Sequence, residues 1–203
     1  MKSENLNKLY DKIYQDESTK EPRRFIQVIE SEISLFDIDE YANYSDYFKM
    51  TRLMADYGIM LVKAGYIKKS LSHLENAILR IETDKELKDK DLWNEPLYES
   101  LLFNRGYVNM KLQNRSKAKK DFKNLTIKFP ENDLYENWLK SCYDYNYGIL
   151  EWTFAGLAMI SIFFSFLFGR ENVIINRIAF YGIIVGIIGG LTTNWIRKKK
   201  IED

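Results

Sequence analysis

Two stretches near the C-terminus constrain this chain more than any other feature. From Trp152 to Gly169 it runs for 18 positions without a charge, and from Ile178 to Ile196 for 19. Phe154, Leu157, Met159, Ile160, Ile162, Phe163, Phe164, Phe166, Leu167 and Phe168 cover every face of a helix and leave no side for water. At about 1.5 Å rise per residue, each run approaches the roughly 30 Å of a bilayer core. We read two transmembrane helices, at about 150–169 and 178–196, made antiparallel by a short turn over Arg170–Arg177. The soluble alternative, a buried helical hairpin, needs more enclosing chain than the remaining residues supply.

The composition fits a two-part chain. Although 46% of the 203 residues are hydrophobic, 29% are charged and mean hydropathy is negative, so apolar residues must be concentrated. Six of the 30 basic and four of the 29 acidic residues follow Gly148, leaving 24 and 25 in residues 1–148. That part is nearly neutral and offers no basic face of the kind nucleic acid demands. The expected division is a helical domain over 1–148 and a hairpin with a basic tail over 149–203. The tail Arg197–Lys200 carries four cations against two, Arg170 and Arg177, between the spans, which places both termini in the cytoplasm of a plasma or inner membrane. Tyr143, Tyr145, Tyr147, Trp152 and Trp195 suit the same interface. The first residues contain no apolar run, so no secretory signal is expected.

In the second span Gly182, Gly186 and Gly190 recur every fourth residue, with Gly189 beside them. Such a face lets another helix approach closely. Two uses stand open: packing on the first span, which offers Ala155, Gly156 and Ala158, or self-association into a homo-oligomer.

The preceding residues show helical periodicity throughout and no strand alternation. Leu6, Leu9, Tyr10, Ile13 and Tyr14 form one stripe; Phe25, Val28, Ile29, Ile33 and Phe36 form another. Helices are expected at about 4–16, 22–37, 44–64, 67–83, 94–112, 115–128 and 132–147. Taking Gly106 as an origin, Ala118, Phe122 and Pro130 follow at 12, 16 and 24 residues, with Leu102 four before it. From Gly58 the same ruler finds Ser70, Leu74 and Glu82, with Gly65 at the turn and Ala77 at another small-residue position. This pattern resembles the tetratricopeptide repeat, a helix-turn-helix unit of small residue, A-x3-F and closing proline. Arg105 and Asn109 depart from it, and the first unit has no closing proline. The resemblance implies an all-α solenoid with units at about 44–83 and 94–130, separated by an insertion that includes Asp84–Asp91. Leu134, Trp138 and Leu139, on a helix over 132–147 free to run on toward the first span, would cap the second unit.

Residues for chemistry are sparse. There is one histidine, His73, and one cysteine, Cys142, so a disulfide and a thiolate zinc site within one chain are excluded. No zinc-protease, nucleophile-elbow or phosphate-loop motif is present. The carboxylates Glu30 and Glu32, and Asp37 and Asp39, read as solvated helix surface or caps. The lysine ladder Lys117, Lys119, Lys120 and Lys123 reads as a solvated face because Asp121 interrupts it. No catalytic residue, metal or cofactor is expected.

What remains is binding. The resemblance implies a groove lined by the first helix of each pair: Arg52, Ala55, Ile59, Val62 and Lys63, then Ser100, Phe103, Tyr107, Met110 and Lys111. The carboxylate-gripping lysines and asparagines of some family members are replaced here by Ala55, Ile59, Phe103 and Tyr107. Such a groove wants an apolar occupant, either a partner helix or this chain's own N-terminal helix. The expected function is a non-enzymatic, membrane-anchored scaffold for a protein partner. The alternatives are an oligomerising effector or channel-like component with a sensing helical domain, and an accessory subunit of a larger membrane complex.

Overall fold

The computed structural model describes residues 2–37, 41–87, 91–168 and 173–202. Among the described residues every regular element is helical. The order is α1 (Lys2–Gln15), α2 (Pro22–Ser31), α3 (Tyr44–Lys63), α4 (Ile67–Glu82), α5 (Pro96–Lys111), α6 (Arg115–Lys128), α7 (Asp133–Phe168) and α8 (Val173–Glu202). Short 3-10 turns lie at Glu17–Lys20, Ile33–Asp37 and Leu92–Asn94. The chain divides into two units, Met1–Glu136 and Asn137–Asp203, with the division inside α7 rather than at 148.

Helix ends follow local chemistry. Asp16 caps the first 3-10 turn at Ser18, Glu21 caps α2 ahead of Pro22, and the Asn43 side chain accepts from the Asp46 amide at the start of α3. The turn between α3 and α4 needs a left-handed residue and has Gly65 at φ 85°; the equivalent turn after α5 has Gln113 at φ 65°. Helix α2 stops at Ser31, short of the expected 37, because the backbone tightens into a 3-10 turn. Helix α5 starts at Pro96, which suits a first helical position because proline has no amide proton to leave unpaired.

In the first unit, consecutive helices pack as hairpins. Helix α3 lies on α4 and α5 on α6; α4 and α3 both touch α5, as α2 and α1 both touch α3. The hairpins close on glycine. A Cβ at Gly58 would meet Leu74 Cδ2 at 3.0 Å, and one at Gly106 would meet Phe122 Cε1 and Cζ at 3.0 Å. Ser70 and Ala118, which face the same crossings, are fully buried. Around them Leu53, Leu61, Leu101, Leu102 and Leu125 form the core.

Tyrosine hydroxyls tie the stack together, each donating to a carboxylate on another segment. Tyr14 reaches Asp56, Tyr57 reaches Glu30 at 3.1 Å, Tyr44 reaches Asp84 at 2.9 Å, Tyr98 reaches Glu82 at 2.8 Å and Tyr135 reaches Glu99. Such bonds satisfy polar groups that burial would otherwise penalise. Burial first, then the adjacent carboxylate, raises the phenol pKa of Tyr14, Tyr98 and Tyr135, and pushes that of Tyr44 up to about 12. The expected cap is corrected in detail. Tyr135, 7% exposed, packs on Phe103 and Phe129, whereas Leu134 is 50% exposed.

The second unit is a hairpin of the rest of α7 with α8. Gly148 does not interrupt α7, so the expected capping helix and first apolar run are one element of 36 residues. Helix α8 begins at Val173, so Val173–Arg177, expected in the turn, is helical; Gly169–Asn172, including Arg170 and Glu171, lies outside the described residues. Both helices are long and apolar enough to cross a membrane, and only 6% and 11% of their most apolar windows are buried.

Candidate functional site

The residues expected on the α3 and α5 surface separate into three groups. Ala55 and Ile59, 0% and 8% exposed, are core residues, so Ile59 is withdrawn from the binding set: its turn of α3 faces inward. Phe103 is half-buried, with its ring 6.1 Å from Phe122 and 5.7 Å from Tyr135, and so supports the packing of α5. Val62, Ser100, Tyr107 and Met110 are partly exposed, and Lys63 and Lys111 are exposed. Lys111 Nζ stands 5.3 Å above the Tyr107 ring.

Arg52 has a structural tie as well as exposure. Its Nε donates to Asp56 Oδ2 at 2.8 Å, and Asp56 also accepts from Tyr14 of α1. Further contacts hold α1 here: Lys49 donates to Asn7 at 2.5 Å and stands 5.5 Å above the Tyr10 ring. A helix filling a groove floored by α3 and α5 would lie on both. Helix α1 packs chiefly on α3, and also on α2 and the first 3-10 turn.

Sequence reasoning missed the upper end of this surface. Phe48 is 43% exposed and borders a cavity of about 100 Å³ with Tyr47, Thr51, Arg52, Ile81, Asp84, Leu87 and Glu95–Leu97. The signal was available, since Phe48 lies one turn before Arg52 on the same stripe. The insertion between hairpins supplies the far wall, and no periodicity marks that.

In the hairpin the glycine face packs on α7. A Cβ at Gly186 would lie 2.7 Å from Ala158 Cβ and 2.8 Å from the Phe154 carbonyl oxygen. Gly182 abuts Ser161 and Gly189 abuts the Phe154 ring, whereas around Gly190 and Gly156 the space is open. The seam thus steps by four and three through Ala179, Gly182, Gly186, Gly189 and Thr193, rather than by four to Gly190. At one end Ser165 donates to Asn176 at 2.7 Å; at the other Arg197 meets Glu151 at 3.1 Å and Asp144 at 4.0 Å. Trp152 and Trp195, 80% and 64% exposed, stand near that charged end.

The remaining candidates are absorbed by packing. The His73 ring meets Tyr57 edge-on at 4.7 Å, and burial, then Lys69, lowers its pKa. Glu30 accepts from Lys69 at 2.5 Å and from Tyr57, and the Lys69 bond holds its carboxyl below the usual range. Asp39 lies outside the described residues. Among the described residues no three His, Cys, Asp or Glu side chains cluster to hold a metal. No protein-family model, curated protein or solved structure matches the chain.

Proposed function

We propose that the protein is a membrane-anchored scaffold, not an enzyme, that recruits a protein partner through a tetratricopeptide-like helical domain on the cytoplasmic face. One observation carries this reading: the α3–α4 and α5–α6 hairpins use equivalent residues in equivalent roles. Each has a glycine closed on by a side chain 16 residues later, a small buried residue at 12 and a left-handed residue at 7. Repeating units of this kind present their first helices as one extended binding surface. Here that surface carries Phe48, Arg52, Val62, Lys63, Tyr107, Met110 and Lys111.

The two apolar helices of the second unit supply the anchor. Their exposed faces suit lipid, and the basic tail holds both termini in the cytoplasm by the positive-inside rule. Self-association through Gly182, Gly186 and Gly189 loses support because α7 occupies that face. The test is recovery of crosslinked partners with the full chain purified from its native membranes. Truncating an aromatic anchor typically costs about 2 kcal/mol of binding, roughly thirtyfold. Phe48→Ala with Tyr107→Ala should therefore release the partner while leaving the melting temperature nearly unchanged. Full retention of every partner by that folded variant would overturn the reading.

A further inference from the structure

The exposed face of α6 carries lysines and no acidic side chain. Asp121, the acid that breaks the lysine ladder in sequence, is 2% exposed and turned inward, where Arg105 grips it with bonds of 2.6 and 2.9 Å. Ala118, Phe122 and Leu125 share that buried side. At about 100° per residue, Lys120, Lys123 and Ile127 fall on the opposite arc with Lys117 at its edge, and all four are exposed, whereas Lys128 falls beside Asp121 and stands 5.6 Å from the Trp93 ring. Lys117 approaches Glu75 only at 3.7 Å, and Lys120 and Lys123 form no ion pair among the described residues. Ile127, at 65% exposure, is an apolar side chain set among these cations.

We infer that this face docks on the anionic lipid headgroups of the membrane that anchors the chain, an inference that rests on the membrane reading above. Charge complementarity selects an acidic occupant. Lysines spread along the outside of one helix match a diffuse anionic surface, which requires no recess to hold it. Basic residues brought near an acidic leaflet each add to binding, and the attraction dies within a Debye length. Ile127 adds one exposed apolar side chain that can enter the headgroup boundary beside these lysines. The tether raises the local concentration of lipid at the domain, so a few lysines suffice where a free domain would need more.

The test uses the full chain in nanodiscs, with Cys142→Ala and an environment-sensitive fluorophore on Ile127→Cys. A second preparation carries the fluorophore on Phe163→Cys. Quenching by brominated lipid of the Ile127 reporter should at least double when one third of the phosphatidylcholine is replaced by phosphatidylserine. High salt, or Lys117→Glu with Lys120→Glu and Lys123→Glu, should abolish the difference. Equal quenching in both lipids, or an increase that ignores salt and charge reversal, overturns the inference, as does shielding of the reporter by polyglutamate but not by lipid. The Phe163 reporter separates the two claims: unquenched, it refutes membrane insertion itself; quenched beside an unresponsive Ile127 reporter, it leaves insertion standing and refutes headgroup docking alone.

Discussion

Gly106 sits directly against the ring of Phe122: a Cβ there would lie 3.0 Å from two ring carbons, tighter than most such contacts. Replacing Gly106 with alanine gains up to about 1 kcal/mol of helix propensity but overpacks the crossing by about 1–3 kcal/mol. The expected net loss is about 1 kcal/mol, and Gly106→Leu should cost more. Shrinking the ring with Phe122→Leu should relieve part of the alanine penalty. Thermal melts of the two single variants and the double variant will show that coupling, and strict additivity would mean the two residues do not share the space.

The turns after α3 and α5 make the same demand, a left-handed residue, and meet it with different residues. Gln113 holds φ 65° at a cost a glycine avoids, so Gln113→Gly should stabilise the protein by about 0.5–1 kcal/mol. Gly65→Ala, at φ 85° in otherwise open space, should destabilise it by about 1 kcal/mol through backbone strain alone. Chemical denaturation of both variants checks the sign of each change.

The tyrosine–carboxylate bonds make the first unit alkali-sensitive. Burial raises the phenol pKa of Tyr14, Tyr44, Tyr98 and Tyr135 in the folded state, so the fold binds protons that the unfolded chain releases above about pH 10. The stabilisation is complete below that pH and is lost as pH rises, with Tyr44 titrating at about 12. Phenolate absorbance and helical circular dichroism should change together. Early phenolate absorbance with full helicity would show that these hydroxyls are free.

Two glycines in α8 should respond differently to the same substitution. Gly186→Leu places atoms against the Phe154 carbonyl and the Ala158 backbone nitrogen, contacts that no rotamer change relieves. It should cost about 2–3 kcal/mol of hairpin stability. Gly190→Leu enters open space and should leave the hairpin intact. Melting in detergent distinguishes them, and equal sensitivity would refute the three–four seam.

The proposed topology rests on charge. Arg197 is engaged by Glu151 and Asp144, which leaves three tail lysines to oppose Arg170 and Arg177. A cysteine at Asn172, in the Cys142→Ala background, should react with an impermeant reagent from outside intact cells. Reaction only after lysis would place the hairpin the other way round.

The sequence by itself determined the helical class, the approximate helix bounds, the two long apolar helices and the common ruler that joins Gly58 to Leu74 and Gly106 to Phe122. These are local or short-range properties: periodicity, breakers and a side chain's need for space at a fixed offset. The tertiary structure decided which face of each helix is covered. It turned Asp121 inward to Arg105, took Ile59 into the core, seated Gly189 rather than Gly190 on the first span and carried α7 unbroken past Gly148. It also chose the tyrosine partners, such as Asp56 for Tyr14 and Glu99 for Tyr135, 42 and 36 residues apart. A helix turns about 100° per residue, so neighbouring positions lie on different faces. Which of them is buried depends on what the rest of the chain brings against it.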